Sequence, residues 1–221
     1  MKDLQFDEAT HTYTLAGRVI PSVTQILKQV VDFSMVAPDI LERKCAIGSA
    51  LHMAIALDHA DDLDYDSLDA SVLPYFEAWR KFVADMGSKL WIMASERPMA
   101  SATYQYGVTP DIWGSVNGER AVIELKSTAA IHPSVALQTA AQAHAITEGK
   151  WWPGDVDGPP RRFALQLQPS GKYRLQEFTA KGDFGVFIAL RSVWGWRASH
   201  KLGDWRSEEH TSELQSPCTI S

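Results

Sequence analysis

Two charged residues stand inside an apolar run, and this run constrains the fold more than any other stretch of the chain. Residues 121–126 (AVIELK) are rich in β-branched and aliphatic side chains, which predicts a strand. Side chains alternate between the two faces of a strand, so Glu124 and Lys126 share one face and Ile123 and Leu125 the other. The sequence therefore predicts two charges on a face that should otherwise be apolar.

A third charge precedes this strand. Residues 107–116 also read as a strand, and the Asn-Gly pair at 117–118 is a typical hairpin signal between the two. Asp111 would then lie beside Glu124 and Lys126. Two carboxylates near an ammonium suit a hard divalent cation that keeps some of its water and accepts a phosphate oxygen. The alternative without a function is an edge strand with one face in water.

Length and composition favour an ordinary globular domain. The chain has 221 residues, 45% hydrophobic and 22% charged. No apolar run reaches the roughly 20 residues of a membrane span, and the opening residues lack a secretory signal, so a cytoplasmic location is expected. Cys45 and Cys218 alone cannot supply a four-cysteine zinc or iron–sulfur site. The net charge of −6 does not exclude a nucleic-acid partner, because the distribution of charge decides binding.

The last residues of the chain have an unusual sequence. Residues 206–217 (RSEEHTSELQSP) resemble the translation of a common sequencing adapter. Such a segment is excluded from reasoning about the fold. We therefore expect a single domain over residues 1–205 and a non-native tail over residues 206–221.

Hydrophobic periodicity predicts a mixed α/β (α+β) chain. Helices are predicted after Ser22 and over residues 40–60, 69–85, 133–148 and 183–199. Hairpins are predicted at residues 11–20 and 161–178, and residues 91–97, 102–106, 107–116 and 121–126 are predicted to form a four-strand meander. The predicted helix at 133–148 follows directly from the Glu124 strand and can return across the same sheet.

Four further polar residues are candidates for supporting roles. His52 lies one helical turn after Gly48, and Gln138 and Gln142 are also one turn apart, so each pair shares a helix face. Glu96 ends a half-apolar strand. Taken singly, a helical histidine is more often a surface or core residue than a ligand, and such acids and glutamines usually face solvent.

Together these positions resemble a known family. Pro110-Asp111 followed by Glu124-Leu125-Lys126 resembles the PD-(D/E)xK nuclease motif. The chain also resembles the RecB-like branch of that family in particular. The matching positions are residues 106–112 (YGVTPDI), residues 48–52 (GSALH), the additional acid Glu96 and Gln138. The opening residues 11–15 (HTYTL) and 21–24 (PSVT) resemble the start of phage-encoded exonucleases of this group.

The resemblance implies a fold, a site and a reaction. The fold would be a restriction-endonuclease-like core, with a central mixed β-sheet flanked by helices. Mg²⁺ or Mn²⁺ would be held by Asp111, Glu124, the main-chain carbonyl of Leu125, His52 and Glu96, and the catalytic set would be Asp111, Glu124, Lys126 and Gln138. The activity would be DNA hydrolysis, most simply by an exonuclease acting in phage or prophage recombination or DNA processing.

The resemblance also bears on partners. DNA, a phage single-strand annealing or binding protein and a homo-oligomer are the partners it implies. Basic and aromatic residues that could contact DNA are Arg43, Lys44, Lys150, Trp151, Trp152, Arg161 and Arg162, although each taken singly favours a solvated or packing role. The alternative function is a nucleic-acid-binding or assembly module that has lost catalysis.

Two features depart from the branch. Gln142 stands where the RecB-like pattern has a Tyr that is implicated in DNA contact. The four cysteines of the iron–sulfur members are missing, so no such cluster is expected.

Overall fold

The computed structural model describes residues 3–32, 34, 36–152 and 158–202, so the predicted non-native tail lies outside the described residues. The strands are β1 (Leu4–Asp7), β2 (Thr12–Leu15), β3 (Arg18–Ile20), β4 (Leu90–Ser95), β5 (Met99–Ser101), β6 (Tyr106–Val108), β7 (Ile112–Val116), β8 (Glu119–Lys126), β9 (Arg161–Leu167) and β10 (Tyr173–Phe178). The helices are α1 (Val23–Leu27), α2 (Pro38–His59), α3 (Leu73–Met86), α4 (Ser134–Glu148) and α5 (Asp183–Ser199). The four long predicted helices are confirmed, with ends shifted by at most four residues.

A mixed sheet of five strands forms the centre of the fold. Its strand order is β10-β9-β8-β7-β4, and β8 runs parallel to β9 while the other neighbours are antiparallel. The strand β8, which carries Glu124 and Lys126, is therefore central, and both side chains are buried. The alternative of an edge strand with one wet face is wrong.

Helices cover both faces of this sheet. Ile123 and Leu125 pack with Leu51 of α2 and Trp79 of α3, whereas Val122 packs on the other side with residues of α4 and α5. The alternation predicted for residues 121–126 is confirmed, and so is the fold class with a central mixed sheet flanked by helices. Among the described residues, no helix has the length and apolar character needed to cross a membrane.

The predicted four-strand meander is wrong. Within the described residues, β4 pairs with β7 rather than with the segment that follows it, and β5 and β6 form a separate two-stranded ladder. Two prolines explain the interruption: Pro98 lies between β4 and β5, and Pro110 lies between β6 and β7. Proline has no N–H to donate to a strand ladder, so each interrupts a strand. The chain thus leaves the sheet after Glu96 and returns at Asp111.

The N-terminal sheet, with strand order β1-β2-β3, packs against this excursion. A Cβ atom on Gly107 would overlap the Tyr13 ring, so only glycine allows the ring to lie on the backbone there. The Tyr13 hydroxyl and the Thr109 Oγ1 are hydrogen-bonded at 2.7 Å. Tyr13 therefore holds the segment that leads directly into Pro110 and Asp111.

Candidate metal centre

Three elements bring His52, Glu96 and Asp111 together. His52 lies on α2, Glu96 follows β4, and Asp111 precedes β7. One ligand atom from each residue lies within 4.8 Å of the others, and among the described residues this is the group of histidine and acidic side chains that could hold a metal ion. We call these three residues the acid–imidazole cluster.

The histidine is positioned by the close approach of α2 to the end of β8. Gly48, one turn before His52, faces Ser127, whose Oγ would lie 3.7 Å from an added Cβ. The His52 Nδ1 lies 3.0 Å from the Glu96 Oε1 and 3.5 Å from the Asp111 Oδ1. The imidazole therefore lies between the two acids.

Glu96 reaches the cluster through an unusual backbone conformation. Its φ is +47°, in the left-handed region that non-glycine residues rarely adopt. Its N–H donates to the Asp111 main-chain oxygen at 3.1 Å. Strained backbone of this kind persists only where the surrounding structure maintains it, and it is often found at functional sites.

Only one of the two carboxylate oxygens of Asp111 accepts a hydrogen bond. Its Oδ2 accepts the Leu125 N–H at 2.6 Å, whereas its buried Oδ1 has no hydrogen-bond partner. For Leu125 the observed contact to Asp111 is therefore its main-chain N–H. A buried carboxylate oxygen without a donor is costly, which suits an oxygen that binds a cation.

The pKa values in the cluster are strongly perturbed. Burial raises the pKa of Asp111 well above its ordinary value, and the nearby charge of Glu124 raises it further. For His52, burial lowers the pKa, but the charge of Asp111 and the hydrogen bond and charge of Glu96 outweigh burial and raise the pKa to about 9. Without a metal ion, His52 is thus protonated at neutral pH and partly neutralises the acids around it.

A second group of buried polar residues surrounds Glu124. The Glu124 Oε1 accepts from the Lys126 Nζ at 2.6 Å and from the Gln138 Nε2 at 2.7 Å, and its Oε2 accepts from the Gln142 Nε2 at 2.6 Å. We call these four residues the Glu124 cluster. The helix α4 does return across the sheet, and it supplies both glutamines.

The predicted site residues therefore fall into two adjacent groups. Glu124 belongs to its own cluster and not to the acid–imidazole cluster. The main chain of Leu125 joins the two, because its N–H binds Asp111 while the preceding residue is Glu124.

The candidate DNA contacts divide by what surrounds them. Arg161 pairs with Glu119 and Glu177, and Arg162 pairs with Asp183. Arg43, Lys44 and Lys150 are exposed. The Trp151 ring lies under the Arg97 guanidinium at 4.3 Å, and the Trp152 ring contacts Trp113 at 5.2 Å.

Sequence reasoning missed one buried polar residue near the site. Gln166 of β9 is paired in register with Lys126, and its Nε2 donates to the main-chain oxygens of Thr128 and Ala129. It thereby fixes the loop that follows β8. The signal was a glutamine inside the apolar run of residues 163–167 (FALQL), the same kind of exception that marked Glu124.

Comparison with known proteins gives limited information. No protein-family model matches the chain, and no curated protein matches it. A similar solved structure is that of an alkaline exonuclease (LHK-Exo) from Laribacter hongkongensis, with a TM-score of 0.39, 10% sequence identity, and coverage of 82% of this chain and 94% of that one. A likeness this weak assigns neither family nor activity.

Proposed function

We propose that this protein is a divalent-metal-dependent nuclease that hydrolyses phosphodiester bonds in DNA. The observation that carries the proposal is the buried Oδ1 of Asp111, which accepts no hydrogen bond, inside the acid–imidazole cluster and close enough to Lys126 to feel its charge. A cation-binding group beside a fixed positive charge suits a substrate with negative charge at its reacting centre. The resemblance to the PD-(D/E)xK motif supports the same reaction.

The residues present fit a divalent ion. Asp111 and Glu96 offer carboxylate oxygens and His52 offers a ring nitrogen. Glu124 is close enough for its charge to raise the pKa of Asp111. Oxygen ligands suit Mg²⁺ and Mn²⁺, and the imidazole favours Mn²⁺ of the two. When bound, such an ion lowers the pKa of a coordinated water and polarises the phosphoryl group.

The remaining groups would act on the substrate directly. Lys126 carries a positive charge that Glu124 holds in one place through a 2.6 Å hydrogen bond. In that position it orients the attacking water and offsets the negative charge that builds on the phosphate. Gln138, which donates to the same carboxylate oxygen, keeps Glu124 from rotating away.

The finer assignments rest on the sequence resemblance. We infer an exonuclease of the RecB-like, phage-type branch, built as one restriction-endonuclease-like domain over residues 1–205 and acting in recombination or DNA processing in the bacterial cytoplasm. A phage single-strand annealing or binding protein and a homo-oligomer are the partners that the resemblance supports.

The proposal is tested with end-labelled linear DNA and covalently closed circular DNA, each in Mn²⁺, in Mg²⁺ and in EDTA. We expect metal-dependent cleavage, and a preference for linear DNA if the enzyme is an exonuclease. Lys126→Ala and Asp111→Asn should each lower the rate by roughly 100- to 1000-fold, because each removes a charge that acts on the transition state. Lys172→Ala, on the β9–β10 turn, is the matched control.

The other outcomes are equally informative. DNA that is retained but never cut would favour the binding or assembly module. A protein that neither retains nor cuts DNA in any metal would contradict both functions.

A further inference from the structure

Gln142 is buried on α4 with no exposed surface, and its amide faces Glu124. We propose that Gln142 is a positioning residue: its Nε2 holds the Glu124 Oε2 so that one acceptor position of this carboxylate stays available to the reaction. The inference rests on the proposed nuclease function. It also gives Gln142 a role other than DNA contact, because its amide donor binds Glu124 and does not face solvent.

The number of donors around Glu124 is the first argument. A carboxylate offers about four lone-pair positions, two on each oxygen. Lys126 and Gln138 occupy both positions on Oε1, and Gln142 occupies one on Oε2. One position on Oε2 remains, and the Gln142 hydrogen bond determines where it points.

The rigidity of α4 is the second argument. Gln138 and Gln142 are four residues apart and therefore lie on one helix face. The helix is fixed over the sheet by the buried side chain of Ile146 and by a 2.9 Å hydrogen bond from the Tyr106 hydroxyl to the main-chain oxygen of Ala141. A group fixed on a packed helix positions its partner better than a group on a loop does.

The Gln142 amide itself is the third argument. Its Nε2 must face Glu124, because the opposite orientation would bring two oxygens within 2.6 Å of each other. The Gln142 Oε1 is then buried without a hydrogen-bond partner. An unsatisfied buried carbonyl lowers stability, so an apolar residue would serve packing alone better. The amide is retained for what its donor does to Glu124.

Two variants and one matched control test the inference. Gln142→Met keeps the length of the side chain and removes the donor, and Gln142→Glu keeps the shape but brings a second carboxylate against Glu124. Thr139→Val, on the same helix, removes a buried hydroxyl whose partners are the main-chain oxygens of Val135 and Ala136. The measurements are the kcat, the KM for DNA and the Mn²⁺ concentration that gives half-maximal cleavage, with thermal unfolding as the check on folding.

We expect Gln142→Met to lower kcat or raise the half-maximal Mn²⁺ concentration by roughly 10- to 100-fold, the usual effect of losing a partner of a metal-site carboxylate. Gln142→Glu should have a larger effect on the same two quantities, and both variants should leave the KM for DNA within about twofold of wild type. Thr139→Val should cleave like the wild type.

Three results would overturn the inference. A raised KM with an unchanged Mn²⁺ dependence would make Gln142 a DNA contact. Equal losses in Thr139→Val would make the effect structural. A wild-type protein that cleaves no DNA would remove the proposed function and this inference together, whereas either of the first two results would leave the nuclease function standing.

Discussion

The acid–imidazole cluster and the Glu124 cluster are both buried and charged, but they differ in how well their charges are satisfied. In the Glu124 cluster, one carboxylate accepts three short hydrogen bonds from an ammonium and two amides. In the acid–imidazole cluster, two carboxylates share one imidazole, and the Asp111 Oδ1 forms an ion pair with His52 at 3.5 Å but accepts no hydrogen bond. In the first cluster the carboxylate is bound by donors on both of its oxygens, whereas in the second two carboxyl groups have one imidazole between them.

This difference indicates that the two clusters have different roles. Hydrogen-bonded buried polar groups rigidify a fold, whereas a buried carboxylate oxygen that accepts no hydrogen bond calls for an explanation, such as a bound ion. We infer that the Glu124 cluster holds the catalytic groups in place and that the cation binds at the acid–imidazole cluster, with the Glu124 carboxylate beside it.

The largest effect on stability should come from removing the acceptor of the Glu124 cluster. Glu124→Ala would leave the Lys126 ammonium and the two glutamine amides buried without their acceptor. Breaking a buried pair by removing one partner costs about 3–5 kcal/mol, and we expect a loss of that size in the free energy of unfolding. Urea denaturation in EDTA measures it.

Glu96→Ala is the matched control, because it removes an acid from the unsatisfied cluster instead. The Glu96 side chain is about a third exposed (34%), so losing its hydrogen bond to His52 should cost about 1 kcal/mol. Equal losses of stability in the two variants would contradict the division between the clusters.

The sequence predicted part of this arrangement because strand and helix periodicity are local. Alternation along residues 121–126 placed Glu124 and Lys126 on one face, and the four-residue spacing placed Gly48 and His52 on one face of α2. Those features depend on neighbours in the chain, so a single sequence is enough to predict them.

What the sequence could not predict depends on contacts between distant segments. The contact of His52 with Glu96 joins residues 44 apart, and the one of Gln142 with Glu124 joins residues 18 apart. The direction of the Glu96 side chain depends on a left-handed backbone that no local pattern indicated. For the strand pairing, Pro98 and Pro110 were local signals that the meander is interrupted. Where the β5–β6 excursion packs could not be predicted, because it depends on the distant ring of Tyr13.

The next effect concerns the pH dependence of stability. The pKa of His52 is about 9 in the folded protein against an ordinary value of 6.5, so protonation of His52 favours folding. This stabilisation is fully present below about pH 6.5 and is lost as the pH rises through about 9. A shift of this size corresponds to about 3 kcal/mol.

Urea denaturation in EDTA between pH 6 and pH 9.5 measures the effect. The wild type should lose stability over this range, and His52→Gln should lose much less. A wild type as stable at pH 9.5 as at pH 6 would show that Asp111 and Glu96 do not hold a protonated histidine between them. Mn²⁺ should weaken the pH dependence, because a metal-bound histidine is neutral.

The smallest effect should come from the backbone that aims Glu96 into the acid–imidazole cluster. Its φ of +47° costs a residue with a Cβ about 1 kcal/mol and costs glycine almost nothing. Glu96→Gly should therefore be more stable than Glu96→Ala by about 1 kcal/mol, the reverse of their order in a helix, while both lose the carboxylate and bind Mn²⁺ equally weakly. Thermal unfolding gives the first comparison and calorimetric titration with Mn²⁺ the second. If the alanine variant were as stable as the glycine variant, the backbone at this position would carry no strain. The left-handed φ of Glu96 would then cost no stability, and no functional reason would be needed to explain it.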